Sequence, residues 1–161
     1  MRRHELLAAL LVAGTVPAAA DEVREVVHLT VNGGPNAGKY ETSTEKGGCT
    51  YGLAGPTAWG NQISDPKQKD PKKLNSVQLI VPDTKKAAGG ATEFLLIVRF
   101  GPLMGGNTSY TIDTRPPKKS GSGTVTVEDH GATALVKIAA TRADGVKFDG
   151  TIDCKTVMRA R

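Results

Sequence analysis

The sequence predicts an all-β fold, an antiparallel β-sandwich or flattened barrel of about eight to ten short strands stapled by one disulfide. Three observations predict it. Short runs in which apolar and polar residues alternate recur along the chain, separated by Gly, Pro and Asn/Asp turn signals roughly every 8 to 14 residues. No segment after residue 20 sustains apolar residues at helical spacing over about three turns. The composition agrees: 19 glycines and few aromatics among 161 residues (three Phe, three Tyr, one Trp) suit thin sheets packed by β-branched side chains.

The chain opens MRRHELLAALLVAGTVPAAADEV, with Arg2 and Arg3, an apolar run from Leu6 to Val16, and Ala18-Ala19-Ala20 before Asp21. This pattern reads as a secretory signal peptide over residues 1–20, leaving a single exported β domain over 21–161. The apolar run falls short of the roughly 20 residues that cross a bilayer. Cleavage removes two of 21 basic and one of 16 acidic residues, so the formal net charge falls from +5 to +4. No cysteine follows the cleavage point to take a lipid, and no later apolar run is long enough to anchor the chain. The expectation is a soluble protein of the periplasm or extracellular space.

After the signal, the run VVHLTV, residues 26–31, leads into NGGPNAGKY. Gly33, Gly38 and Lys39 formally meet G-x-x-x-x-G-K, but a phosphate-binding loop needs Ser or Thr next for the magnesium ion, and here Tyr40 follows. It also needs a helix whose N-terminal amides face the phosphates, whereas ETSTEKGGC heads into a strand carrying Cys49. The stretch reads instead as a glycine-rich connection between two strands.

Residues 56–73, PTAWGNQISDPKQKDPKK, read as a loop. LNSVQLIVP sets Val77, Leu79 and Val81 on one side before Pro82, and DTKKAAGGATE, 83–93, is another loop. FLLIVRF, 94–100, is apolar on both faces except at Arg99 and predicts a central strand covered on both sides. The loop GPLMGGNT, 101–108, precedes a short strand SYTID, and RPPKKSGSG, 115–123, forms the next connection. Val125 and Val127 share a face in SGTVTVED, as do Ala134, Val136, Ile138 and Ala140 in ATALVKIAATR. ADG, 143–145, turns the chain into the clearest strand, GVKFDGTIDCK, where Val146, Phe148, Gly150, Ile152 and Cys154 alternate with polar residues.

Two cysteines, Cys49 and Cys154, make an even count without metal-ligand spacing, which in an oxidising compartment reads as a disulfide. The alternatives are a pair of buried free thiols and a redox-active pair, and neither has a CxxC to support it. The bridge ties an early strand to the last third of the chain.

No catalytic constellation assembles in the sequence. KSGSGT lacks the G-x-S-x-G spacing of a nucleophile elbow. His28 and His130 are scattered and read as satisfied strand and turn residues, and no metal or cofactor is expected. The carboxylate pairs Glu41/Glu45, Glu128/Asp129 and Asp149/Asp153 read as a solvated face. Lysines cluster in loops: Lys67, Lys69, Lys72 and Lys73 in one, Lys85 and Lys86 in a second, Lys118 and Lys119 in a third. An anionic polymer or lipid headgroups would suit pooled lysines, yet without interleaved aromatics, and with Asp65 and Asp70 diluting the first cluster, nucleic acid is disfavoured. Trp59, Leu103 and Met104 complete the candidate binding loops, the fold-back of Trp59 onto the core being the plainer reading.

In the spacing of GKYETSTEKGGCTYG, LNSVQLIV, GGNTSYTID and GVKFDGTIDC, the chain resembles the LpqH-type small exported antigens of mycobacteria. The resemblance covers most of the chain after residue 20 and implies a cell-envelope β domain with a disulfide and no established chemistry. The chain departs from these antigens in lacking the lipid-attachment cysteine, so anchoring is not carried over, and no site residue is transferred.

The expectation is therefore a non-catalytic exported β domain that binds a protein, glycan or small ligand of the envelope through its loops. Two alternatives are a small secreted hydrolase using carboxylates such as Asp149 and Asp153, and a structural envelope subunit assembling edge to edge. A concave pocket lined by Trp59 favours a small ligand, whereas an exposed apolar loop patch with an open strand edge favours a protein partner.

Overall fold

The computed structural model describes residues 22–117 and 119–160, so the signal segment predicted over 1–20 and the loop residue Lys118 lie outside the described residues. The chain is mostly β, 54% strand and 3% helix, and its two sheets pack face to face with open edges; the flattened-barrel alternative is not realised. Eleven strands form among the described residues, slightly more than expected.

One sheet holds, in spatial order, β2 (Gly38–Thr44), β1 (Glu25–Asn32), β10 (Lys147–Cys154), β9 (Ala134–Arg142) and β8 (Gly121–Asp129). The other holds β11 (Val157–Arg159), β3 (Gly48–Tyr51), β4 (Trp59–Ser64), β5 (Leu74–Val81), β6 (Leu95–Phe100) and β7 (Thr108–Asp113). Neighbours run antiparallel except β11, which pairs parallel with β3. A single helical turn, α1 (Thr84–Ala87), is started by the Asp83 side chain, which accepts from the Lys85 N–H.

The alternation read from sequence is what divides inside from outside. Val27, Leu29 and Val31 of β1, Val136 and Ile138 of β9, and Phe148 and Ile152 of β10 face inward from the first sheet. They meet Ile63, Val77, Leu79, Leu96, Val98 and Ile112 of the second. Each such side chain contributes about 1.5–3 kcal/mol on burial. Gly150, in the centre of β10, lets two backbones come together: a Cβ there would stand 2.4 Å from the His28 carbonyl oxygen on β1.

The two sheets touch at several places besides the core. Near one end β2 brings Tyr40 onto Phe100 of β6, and its C-terminal end faces Ser64 at the end of β4, so β2 passes across the strand ends of the second sheet. At the opposite ends of those strands, Ala91 bridges to Val125 of β8. The disulfide Cys49–Cys154 joins β3 to β10, with Cα atoms 5.9 Å apart, and so ties one sheet to the other.

Two segments differ from expectation. Residues 56–73 are not one loop, because Trp59–Ser64 forms β4 with Trp59, Asn61 and Ile63 inward and Gln62 and Ser64 outward. The inward asparagine and the outward Gly60 obscured the alternation. β6 is covered fully on one face only: Leu96, Val98 and Phe100 are buried, Leu95 and Ile97 are half-buried and Arg99 is exposed.

Candidate functional site

The loop β4–β5, residues 65–73, is shaped by its own aspartates. Asp65 Oδ1 accepts from the Lys67 N–H and Asp70 Oδ1 from the Lys72 N–H, both at 2.9 Å, forming two Asx turns. The Asn75 side chain donates to the Asp65 carbonyl at 3.2 Å and fixes the loop to β5. The acidic residues that dilute the charge thus fold the loop, and Lys67, Lys69, Lys72 and Lys73 stand exposed around it.

The next hairpin on that side places an apolar loop against this basic one. Gly101, at φ +89°, donates its N–H to the Lys73 carbonyl at 2.9 Å, and a Cβ on it would stand 3.1 Å from the Pro71 Cα. From this fixed stem the β6–β7 loop projects Leu103, 51% exposed, and Met104, 88% exposed. Antiparallel connectivity explains the juxtaposition, since β4–β5 and β6–β7 are alternate hairpins of one sheet and emerge at the same end. Six of the seven candidate loop residues therefore share one end of the sandwich.

The seventh does not. Trp59 begins β4 opposite Val81 and Tyr51 and is wholly buried, so no part of it belongs to a binding loop. Its position is set by the strand phase that also buries Ile63. The Trp59-lined pocket considered from sequence is replaced by core.

A groove of about 430 Å3 lies beside the basic loop, between Ser43–Lys46 and Ser64–Lys67. It is wide, with Lys46, Lys67, Glu45 and Asp65 on its walls. The carboxylates raised as catalytic candidates sit on outer faces beside basic partners: Asp153 with Lys155, Glu128 with Lys137, Asp129 with Arg159, and Glu41 with His28 at 3.4 Å. Asp149 points outward from β10. Among the described residues, no three His, Cys, Asp or Glu side chains gather as a metal site.

Sequence reading missed one polar pair. Glu25, at the start of β1, is wholly buried, and its Oε1 accepts from Asn61 Nδ2 on β4 at 2.8 Å. Burial pushes its carboxyl up to about 7 from 4.5, while the Asn61 hydrogen bond pulls the other way. The available signal was phase: Glu25 is two residues before Val27 and shares the inward face of Val27, Leu29 and Val31.

No protein-family model, curated protein or solved structure matches the chain, so the likeness to the LpqH-type antigens stays one of segment spacing.

Proposed function

We propose that the chain is an exported, non-catalytic β domain that docks an acidic protein partner of the envelope or extracellular space through the end built by the β4–β5 and β6–β7 loops. The observation that carries this reading is the placement of Met104 and Leu103, exposed, on a loop hydrogen-bonded to a loop bearing four exposed lysines. A flexible thioether and an isobutyl group held away from the core offer contact area. The surrounding ammonium groups favour a partner that presents carboxylates around an apolar centre. Burial of Trp59 removes the feature that favoured a small ligand. The N-terminal basic-apolar-small pattern supports export, and the Cys49–Cys154 bridge is compatible with an oxidising compartment. No helix among the described residues is long and apolar enough to cross a membrane.

The test places a photocrosslinking amino acid at Met104 and, as a control, at Ser122 on the outer face of β8, in cells making the full chain. A discrete protein adduct from position 104, absent from 122 and suppressed by changing Lys67, Lys69, Lys72 and Lys73 together to Glu, is expected. Equal labelling from both positions, no adduct from 104, or labelling indifferent to the charge reversal would overturn the reading.

A further inference from the structure

Glu25 and Asn61 sit at the same level of the sandwich as the disulfide. Glu25 is the register partner of Cys154 across β1 and β10, and Asn61 is the partner of Cys49 across β3 and β4. A covalent and a polar link between the sheets therefore lie side by side.

The polar link is incomplete if Glu25 is a carboxylate. Glu25 Oε2 and Asn61 Oδ1 are both buried without a hydrogen-bond partner. Each shares a carbon with an atom of the 2.8 Å hydrogen bond, so both orphans belong to the same junction. Both are acceptors while Glu25 is ionised, and two acceptors cannot satisfy each other. One proton on Oε2 satisfies both. Leaving both buried atoms unpaired would cost the full desolvation of each.

We propose that Glu25 is held as a neutral carboxylic acid that donates from Oε2 to Asn61 Oδ1 while Asn61 Nδ2 donates to Oε1, a closed two-bond clamp between the sheets that opens when the acid ionises. The surroundings favour this state. β2 presents Thr44 to Glu25, β10 presents Cys154, β3 presents Gly48 and Cys49, and β4 presents Asn61. None of these titrates, the two cysteines being joined. The nearby charges Arg24, Glu45, Lys46 and Lys155 are exposed, and Asp153 is half-buried on the opposite face of β10, paired to Lys155. Desolvation is the larger influence on the carboxyl, in keeping with the geometry.

The direction follows from linkage. The folded group titrates near 7 and the unfolded one near 4.5, so between these values the native state binds the extra proton and stability falls as pH rises. Below 4.5 the contribution is complete, and above about 7 it is lost. The folding constant should fall roughly tenfold per pH unit through the window, on the order of a hundredfold in all. The clamp stiffens the junction in mildly acidic surroundings and loosens it above neutrality.

Glu25→Gln supplies the test, because a glutamine can form the same two-bond ring with Asn61 without titrating. Urea unfolding of the full chain, disulfide intact, should show the wild-type folding constant falling relative to Glu25→Gln between pH 4.5 and 7, with the two profiles parallel outside that window. Profiles parallel throughout would overturn the clamp. If Glu25→Gln does not fold, the wild-type protein decides the matter: with glutamate labelled with carbon-13 at the carboxyl, one resonance should keep the neutral-acid shift up to near pH 7. Carboxylate shifts for every glutamate at pH 6 would refute the proposal.

Discussion

Reduction of the Cys49–Cys154 bond is the perturbation whose magnitude follows most directly from the structure. The bond joins residues 105 apart in sequence and crosses from β3 to β10, beside the short backbone link through Lys155 and Thr156 that leads from β10 into β11. Chain-entropy reasoning for a loop of that length assigns the closure about 5 kcal/mol at 25 °C. Both sulfurs are fully buried, so changing Cys49 and Cys154 to alanine leaves unfilled space, a further cost on the order of 1 kcal/mol. With a urea dependence of about 2 kcal/mol per molar, the midpoint of the double variant should fall by roughly 2 to 3 M. Small domains hold only about 5–15 kcal/mol in total, so the reduced protein should be marginal at ambient temperature. The assay is urea unfolding followed by Trp59 emission, for the wild type with and without dithiothreitol and for the double variant under the same conditions. Dithiothreitol should move the wild type towards the variant and leave the variant where it is. A reductant-insensitive wild-type midpoint, or a variant as stable as the oxidised wild type, would refute the reasoning.

Other consequences are open to simple measurement. The Trp59 indole is fully buried in β4, so its emission should be blue-shifted and poorly quenched by acrylamide until the chain unfolds; a solvent-like spectrum in the native protein would contradict the strand placement. Hydrogen exchange on the reduced protein should release amides of β3, β11 and the first residues of β1 before those of β6 and β7, because only the former lie beside the broken bond. Uniform loss across both groups would mean that the sandwich opens as one unit. The crosslinking asymmetry between positions 104 and 122 and the pH response of Glu25→Gln complete the set.

The sheet architecture was legible because its cause is local. Strict alternation in β9 and β10 fixes which side chains go inward, and a cysteine on that phase must find its partner inside. β4 was harder to read: Trp59, Asn61 and Ile63 alternate with Gly60, Gln62 and Ser64, so a polar inward residue and a glycine interrupt the apolar rhythm, and proline and lysine crowd the following turn. β6 misled differently, since Leu95 and Ile97 are as apolar as the core residues between them yet face outward in part. Lys67, Lys69, Lys72 and Lys73 could be recognised as a cluster, but their adjacency to Met104 depends on hairpin order across the second sheet, which spacing does not encode. Glu25 shows the limit most plainly, because charge argues for the surface while phase argues for the core, and the partner that decides between them lies 36 residues away on β4.

Two parts of the sandwich are held by different chemistry, and this bears on how each responds to its surroundings. Around the β6–β7 hairpin an aromatic chain runs from Tyr40 through Phe100 and Tyr110 to Phe148, with ring centroids 4.8, 5.8 and 5.3 Å apart. Asn36 completes that end, its side-chain oxygen accepting from the Tyr110 hydroxyl and its carbonyl from Tyr40, each at 2.9 Å. Both stems of the loop that carries Met104 therefore send an aromatic ring into the core, through Phe100 on β6 and Tyr110 on β7. Such edge-on ring contacts depend chiefly on burial and shape, so mild acid or reductant leaves them in place. At the other level the sheets are joined by a disulfide and by a buried acid, links open to change by redox conditions and by pH. A shift in either acts first on β1, β3 and β11 and on Thr44, the register partner of Glu25, which lines the groove beside Lys67. The Met104 loop keeps its aromatic footing while the junction, and with it the groove beside Lys67, loosens or tightens with its surroundings.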